Sequence, residues 1–355
     1  MKKLFFAALS AFLAVFCLLL AGQAADDALI GKAGKAAALS AMVGNLKGGT
    51  ASPAGALPET PAEPEADEAG ENTESQAAAP SSGAVTAAAD PGEALGKITS
   101  KFISPYTAGQ SFGNIYLKNS TSKTVDISEE LQSPVGFRME FSSEPEVLIM
   151  HTHATESYML EERDYFTAAD ATRSTSDAVN MNHIGEKVAE VLRANGIAVV
   201  HDMTQHDAEA YTGSYDRSAA TVSANLKKYP SIKVVLDLHR DSVGTEAEKI
   251  KAVQKIGDKN AAQIMLVMGC EDGSIQNHPN WRQNLRLAMR FQQAAELKYP
   301  GLARSIMLVP RCYNQNLTTG SMLIEIGTEA NTLAEAEYSA ELIGDILSRV
   351  LKGLQ

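Results

Sequence analysis

Val147-Leu148-Ile149-Met150-His151-Thr152-His153-Ala154-Thr155-Glu156 and Val234-Val235-Leu236-Asp237-Leu238-His239-Arg240-Asp241-Ser242 are two short apolar runs that each end in histidine. A β-branched run of this length reads as a buried strand, and in open α/β sheets chemistry gathers beyond the carboxyl ends of the strands. Both histidine ends are therefore expected at one cleft. His153 and Glu156 form an H-x-x-E unit, half of a two-histidine, one-carboxylate zinc site, with His239 as a distant third ligand. Three protein ligands leave a fourth position for water, which is the catalytic form of a zinc site.

Working outward, the flanking segments alternate between strand and helix patterns. Phe112 to Asn119 reads as an opening strand, and Asp177 to Asn195 as an amphipathic helix with Val179, Ile184, Val188, Val191 and Leu192 on one face and Gly196 as its stop. Ile197 to Val200 reads as a strand and Arg217 to Tyr229 as a helix ended by Pro230. Further strands are expected at Ala262 to Gly269, Ser305 to Val309 and Ser321 to Ile326, with helices at Trp281 to Lys298 and Leu333 to Leu354. This order implies an α/β fold: a twisted, largely parallel sheet with helices on both faces.

The first hundred residues differ in kind. Met1-Lys2-Lys3 precedes an apolar run from Leu4 to Leu20, and small residues follow. Residues 1–25 thus read as an export signal or a retained N-terminal membrane anchor, because the run is near the roughly 17-residue lower limit for crossing a bilayer. Either way the folded part is expected outside the cytoplasm, secreted or membrane-anchored. Residues 26–96 read as a flexible Ala/Pro/Glu-rich linker, with nine acidic residues and no Lys or Arg between Ala51 and Gly96. Residues 97–355 read as the folded domain, and the one expected to carry any catalysis. The net charge of −12 argues against a nucleic-acid partner. Of the three cysteines, Cys17 lies in the apolar run, and Cys270 and Cys312 read as reduced thiols rather than a disulfide or a nucleophile.

Each chemical motif has a plain alternative. His153 can be a hydrogen-bonded histidine at a strand end, and Glu156 a solvated loop acid. His151 competes with His153, because residues two apart on an extended segment face the same side; His153 is preferred for its spacing to Glu156. Asp237 or Asp241 is placed to orient the His239 ring. His183, His201, His206 and His278 lack such partners and read as ordinary surface or helix histidines. Glu325 interrupts the apolar run Ser321 to Gly327. Facing the cleft, it would have a raised pKa and shuttle a proton between water and a leaving amine. Arg240 is the candidate to stabilise an oxyanion, with a structural role as its alternative.

Four blocks together resemble one family: His151-Thr152-His153-Ala154-Thr155-Glu156-Ser157-Tyr158, Leu236-Asp237-Leu238-His239-Arg240-Asp241-Ser242, His278-Pro279-Asn280-Trp281-Arg282-Gln283-Asn284-Leu285, and Leu323-Ile324-Glu325-Ile326-Gly327-Thr328-Glu329-Ala330-Asn331-Thr332-Leu333. The chain from Lys97 onward resembles the stage II sporulation protein P family, a branch of the zinc-dependent N-acetylmuramoyl-L-alanine amidases. The resemblance implies a zinc amidase-like fold and a Zn2+-dependent hydrolase that removes stem peptides from peptidoglycan, with some endopeptidase activity, during forespore engulfment. It implies two partners, sporulation stage II proteins D and M. It puts metal ligands at His153 and His239 and a catalytic carboxylate at Glu325. The wider amidases take their middle ligand from a Glu opening the helix after the first histidine, whereas this chain has Ser174-Thr175-Ser176-Asp177 there. Glu156 is the expected substitute, with Asp177 in reserve. A carboxypeptidase-like zinc peptidase and a non-catalytic wall-binding scaffold are the alternative functions.

Overall fold

The computed structural model describes residues 92–170 and 172–355. The segments read as an export signal and most of the linker lie outside them, as does Cys17. In chain order the elements are β1 (Ala94–Lys101), β2 (Gln110–Phe112), β3 (Ile115–Asn119), α1 (Ile127–Gln132), β4 (Val147–Met150), β5 (Tyr165–Thr167), α2 (Met181–Ala194), β6 (Val199–His201) and α3 (Ser214–Lys228). There follow β7 (Val234–Asp241), β8 (Glu248–Ile256), β9 (Lys259–Ala262), β10 (Ile264–Gly269), α4 (Trp281–Lys298), β11 (Ile306–Val309), β12 (Ser321–Thr328) and α5 (Leu333–Lys352).

Eight strands form the main sheet in the order β2-β3-β11-β10-β12-β7-β4-β6. The β12-β7-β4-β6 block is parallel throughout, as is β3-β11-β10. The two blocks meet antiparallel at β10 and β12, and β2 and β3 form a hairpin. The sheet is thus largely parallel, as the alternation of elements implied. Period-two alternation along β7 sorts its side chains. Leu236 and Leu238 pack with Ile184 and Val188 of α2 and Ile343 and Ile346 of α5, while Val235 packs with Leu148, Met150 and Val222 of α3. Covering both faces is why the strand reads as a nearly continuous apolar run, and each fully buried Leu or Ile contributes about 1.5–3 kcal/mol.

Local signals set the helix ends. The Asn180 side chain accepts from the Asn182 amide to open α2, and Gly196 at φ 78° follows its end. Thr332 and Glu335 form a reciprocal capping box that starts α5.

Among the strands, three features depart from the sequence reading; of the helices, α2 opens at Met181 rather than Asp177, and α1 was not expected. Phe112 to Asn119 is a hairpin rather than one strand, because Gly113 turns the chain at φ 56°. The run Ala262 to Gly269 is broken at Gln263, whose buried side chain bonds the Ile103 backbone and the Gly301 carbonyl, so β9 and β10 belong to different sheets. Those strands reveal a second, unanticipated four-stranded sheet, β5-β1-β8-β9. It begins at Ala94, three residues before Lys97. Strand β8 hides itself in the sequence by its charge: in Glu-Lys-Ile-Lys-Ala, Lys251 is buried, with its ammonium 3.1 Å from Glu335 and a second pairing to Glu162. Cys270 and Cys312 are both free thiols, Cys270 buried and Cys312 half-buried. No helix among the described residues is long and apolar enough to cross a membrane.

Candidate active site

Register brings the site together. Met150 of β4 lies opposite Asp237 of β7, and His239 of β7 lies opposite Glu325 of β12. Neighbours in a parallel ladder share a face, so Asp237, His239 and Glu325 all stand on the side of the sheet that carries α3.

Beyond Met150 the strand alternation ends, because residues 152–155 form a turn. The expectation that His151 and His153 share one side fails for that reason. His151 points to the α2 side, where its Nδ1 lies 3.0 Å from the Leu238 carbonyl and its Nε2 3.0 Å from His201 Nε2. Only glycine fits at position 185 of α2, since a Cβ there would stand 2.5 Å from His151 Nε2 and 2.6 Å from His201 Nε2. His153 turns instead toward α3. Its ring stacks on Tyr211 at 4.3 Å, meets Tyr215 edge-on at 5.7 Å, and meets the His239 ring edge-on at 5.3 Å.

Glu156 arrives from the same turn. One carboxylate oxygen, Oε2, lies 3.6 Å from His239 Nδ1 and accepts from the Arg240 amide at 3.1 Å. The other, Oε1, lies 3.6 Å from Arg173 Nη2. The opposite nitrogen of His239, Nε2, is 2.8 Å from Asp237 Oδ1, an ion contact whose N–H direction misses a hydrogen bond. Asp237 is itself fixed by the Thr152 amide at 2.9 Å and the Thr152 hydroxyl at 2.7 Å. Of the two acids offered as orienters of His239, the structure thus brings Asp237; Asp241 pairs with Arg304 at 2.6 Å.

The electrostatics follow from this crowding. Burial and then the neighbouring His239 charge hold His153 down to about 3, a neutral imidazole. Burial also depresses His239, but Asp237 and then Glu156 and Glu325 overcome it and push the imidazole far above its usual range. Burial raises Glu325 well above the carboxylate range, against the pull of His239 and with Asp241 and Glu156 adding to the rise. Glu325 retains some exposed side-chain surface, yet its Oε2 is sealed from solvent and has no hydrogen-bond partner.

These residues fit zinc by chemistry and by one distance. Two donors on a tetrahedral zinc at about 2.0–2.2 Å stand roughly 3.3–3.6 Å apart, and His239 Nδ1 and Glu156 Oε2 are separated by 3.6 Å. A carboxylate on the far nitrogen of a ligating histidine is the usual support for such a ligand. Among the described residues no three His, Cys, Asp or Glu donors already surround one metal position. A proton on His239 is the competitor that an ion would displace. Asp177, the reserve ligand, is exposed and bonded to Asn182 and Gln205.

Arg240 is not brought to this face. Being adjacent to His239 on a strand, it projects to the other side, where Nε donates to the Ser157 carbonyl at 2.9 Å and Nη2 to the Thr172 carbonyl at 2.7 Å. It splints two loops, the structural alternative to the oxyanion role. The sequence reading also missed Arg173 and Asp207. Asp207 takes the Thr155 amide, the Thr155 hydroxyl and Arg173 Nη1, and lies 3.9 Å from His153 Nδ1. Both come from loops, and Arg173 is placed by its bridge to Glu156 and by its bonds to the Thr155 hydroxyl and Asp207, none of which the sequence displays. Nor are the remaining histidines ordinary surface groups. His206 is buried against the His151 carbonyl and Thr221, His278 is fully buried, and His201 is sealed between His151 and Glu186; His183 alone sits part-exposed on a helix, paired with Glu337.

The family model described as Stage II sporulation protein P matches residues 62–348. The curated stage II sporulation protein P of Bacillus subtilis (strain 168) is 26% identical over 215 residues, covering 58% of this chain and 50% of that protein. The chain thus spans about half the length of the curated relative it matches. Similar solved structures include the CwlD amidase from Clostridioides difficile in complex with the GerS lipoprotein, at 13% identity and a TM-score of 0.34 over 59% of this chain and 99% of that one. Another is the N-acetylmuramoyl-L-alanine amidase AmiC2 of Nostoc punctiforme, at 13% identity and a TM-score of 0.33 over 59% and 96% of the two chains.

Proposed function

The chain belongs to the stage II sporulation protein P family, and from that premise we propose that it is an exported, zinc-dependent peptidoglycan hydrolase cleaving the amide between N-acetylmuramic acid and the stem peptide. The observation that carries this reading is the meeting of His153, Glu156 and His239 beside Glu325, with the His153 and His239 rings 5.3 Å apart and Glu156 3.6 Å from His239. His153, Glu156 and His239 would hold the ion. Zinc, when bound, is a Lewis acid that acidifies water and polarises an amide carbonyl.

The chain's own residues then divide the work. Glu325, which has an unpartnered oxygen, acts from its ionised form: it takes a proton from the attacking water and delivers it to the leaving amine nitrogen, so its carboxylate ends as it began. Asp237 holds the His239 ring in place, and Arg173 and Asp207 fix the turn that carries His153 and Glu156. The N-terminal apolar segment delivers the domain to the wall, secreted or membrane-anchored, where sporulation proteins D and M are the partners.

Digestion of purified sacculi by the zinc-loaded full chain, read by mass spectrometry, tests the reading. Intact stem peptides freed from muramic acid are expected. Shortened stems alone would make the protein a carboxypeptidase-like enzyme, and inert protein that takes up no zinc would make it a wall-binding scaffold.

A further inference from the structure

With Arg240 committed to the opposite side of β7, any side-chain donor to the carbonyl oxygen of a scissile amide must come from another element. Tyr215, in the first turn of α3, has the placement. Its ring meets His153 edge-on at 5.7 Å and packs on Tyr313 at 5.6 Å. Its backbone carbonyl accepts from Asn314 Nδ2 at 2.8 Å and from Ser218 Oγ at 3.1 Å, and Asn314 also donates to Ser218 Oγ at 3.0 Å. Tyr313 and Asn314 themselves lie in the left-handed region, at φ 50° and 56°. Such backbone is sparsely populated for residues other than glycine and persists only where surrounding contacts over-determine it.

Those contacts are visible. Next to the strained pair, Gln315 is buried and grips β10, accepting from the Gly269 amide and donating to the Val267 carbonyl. Asn284 of α4 holds the Gln315 carbonyl at 2.7 Å. The strained pair is therefore fixed from behind, and both of its members bear on Tyr215. The Tyr215 hydroxyl has no hydrogen-bond partner among the described residues. A phenol carries its proton in the neutral range and is a hydrogen-bond donor there.

Resting on the amidase reading above, we propose that Tyr215 is a further catalytic residue: its hydroxyl donates a hydrogen bond to the scissile carbonyl oxygen as that oxygen gains charge, while Tyr313 and Asn314 act as positioning residues. The phenol keeps its proton throughout, and no bond to it breaks. A preorganised donor aimed at developing charge is worth more in a buried site than in water.

The test uses the zinc-loaded full chain and a soluble disaccharide-peptide fragment of peptidoglycan. Wild-type release of stem peptide is measured first, and its absence would defeat the amidase reading and this proposal with it. In Tyr215→Phe, kcat should fall about 10²- to 10³-fold with KM, zinc stoichiometry and melting temperature unchanged. Affinity for a phosphinate analogue of the scissile amide, measured by calorimetry without turnover, should fall by a comparable factor. Tyr313→Ala should lower kcat by a smaller factor at constant zinc content. A Tyr215→Phe enzyme with kcat and phosphinate affinity within about threefold of wild type overturns the proposal. So does a loss confined to KM, or one that tracks loss of zinc or of folded protein.

Discussion

Arg240→Lys separates two roles that the sequence offered for one residue. In the structure the guanidinium is buried and donates from Nε and Nη2 to the Ser157 and Thr172 carbonyls at 2.9 and 2.7 Å, with Nη1 3.8 Å from Glu329. A hydrogen bond from a charged donor contributes about 1.5–3 kcal/mol net. Lysine has one nitrogen and loses at least one of these two carbonyls together with the longer 3.3 Å bond from Nη1 to the Asp241 carbonyl, so the substitution should cost at least about 1.5–3 kcal/mol. For a folded unit of this size 1 kcal/mol moves Tm by about 2–4 °C, which gives a fall of at least about 3–12 °C. Zinc affinity should weaken as well, because Ser157 adjoins Glu156 in the turn that Arg240 splints. The measurements are thermal unfolding at saturating zinc, and kcat on a soluble peptidoglycan fragment about 20 °C below the variant's Tm. Turnover should stay within a few-fold of wild type. An unmoved Tm together with a fall in kcat of about 10²–10³ would refute the splint and restore the oxyanion role.

Glu325→Gln should lower turnover of sacculi about 10²- to 10⁴-fold while zinc content, measured by metal analysis, stays at wild type; retained turnover would remove Glu325 from the reaction. Asp237→Asn should weaken zinc about 10- to 100-fold in competition with a chromophoric chelator, since the His239 ring loses the charge that faces Nε2. Unchanged affinity would mean that Asp237 does not orient a ligand. Lys251→Met leaves Glu335 buried without its ammonium partner and should cost about 3–5 kcal/mol in urea unfolding, most of it recovered when Glu335→Gln is added. Equal stability of the single variant and wild type would show that the pair carries no load.

What the sequence showed of the fold was whatever burial writes as pattern. The runs at Val147 and Val234 read as strands because helices cover both faces of the sheet, and α4 was legible from Trp281 to Lys298 because its apolar spacing is regular. The second sheet was hidden because β8 buries a lysine through ion pairs, which leaves no apolar signature. The break at Gln263 was hidden because a single polar residue there satisfies three backbone groups that only the tertiary structure brings near.

The site divides along the same line. Asp237 and His239 are two apart on a true strand, so their shared face could be read directly, and the neighbouring Glu325 follows once register is known. His153 and Glu156 lie past the strand end, where turn geometry decides direction and the period-two rule no longer applies; it failed for His151 at that point. The strand half of the site is therefore preset by the ladder, whereas the turn half depends on Arg173, Asp207 and the Arg240 splint to hold its shape. Arg240 and Tyr215 illustrate the consequence for the chemistry. The charged residue nearest the histidine in sequence is turned away by strand alternation, whereas Tyr215, whose ring meets His153 edge-on, comes from a helix more than twenty residues upstream. Sequence adjacency identified the strand that carries the chemistry, but the sheet decides which neighbours take part in it.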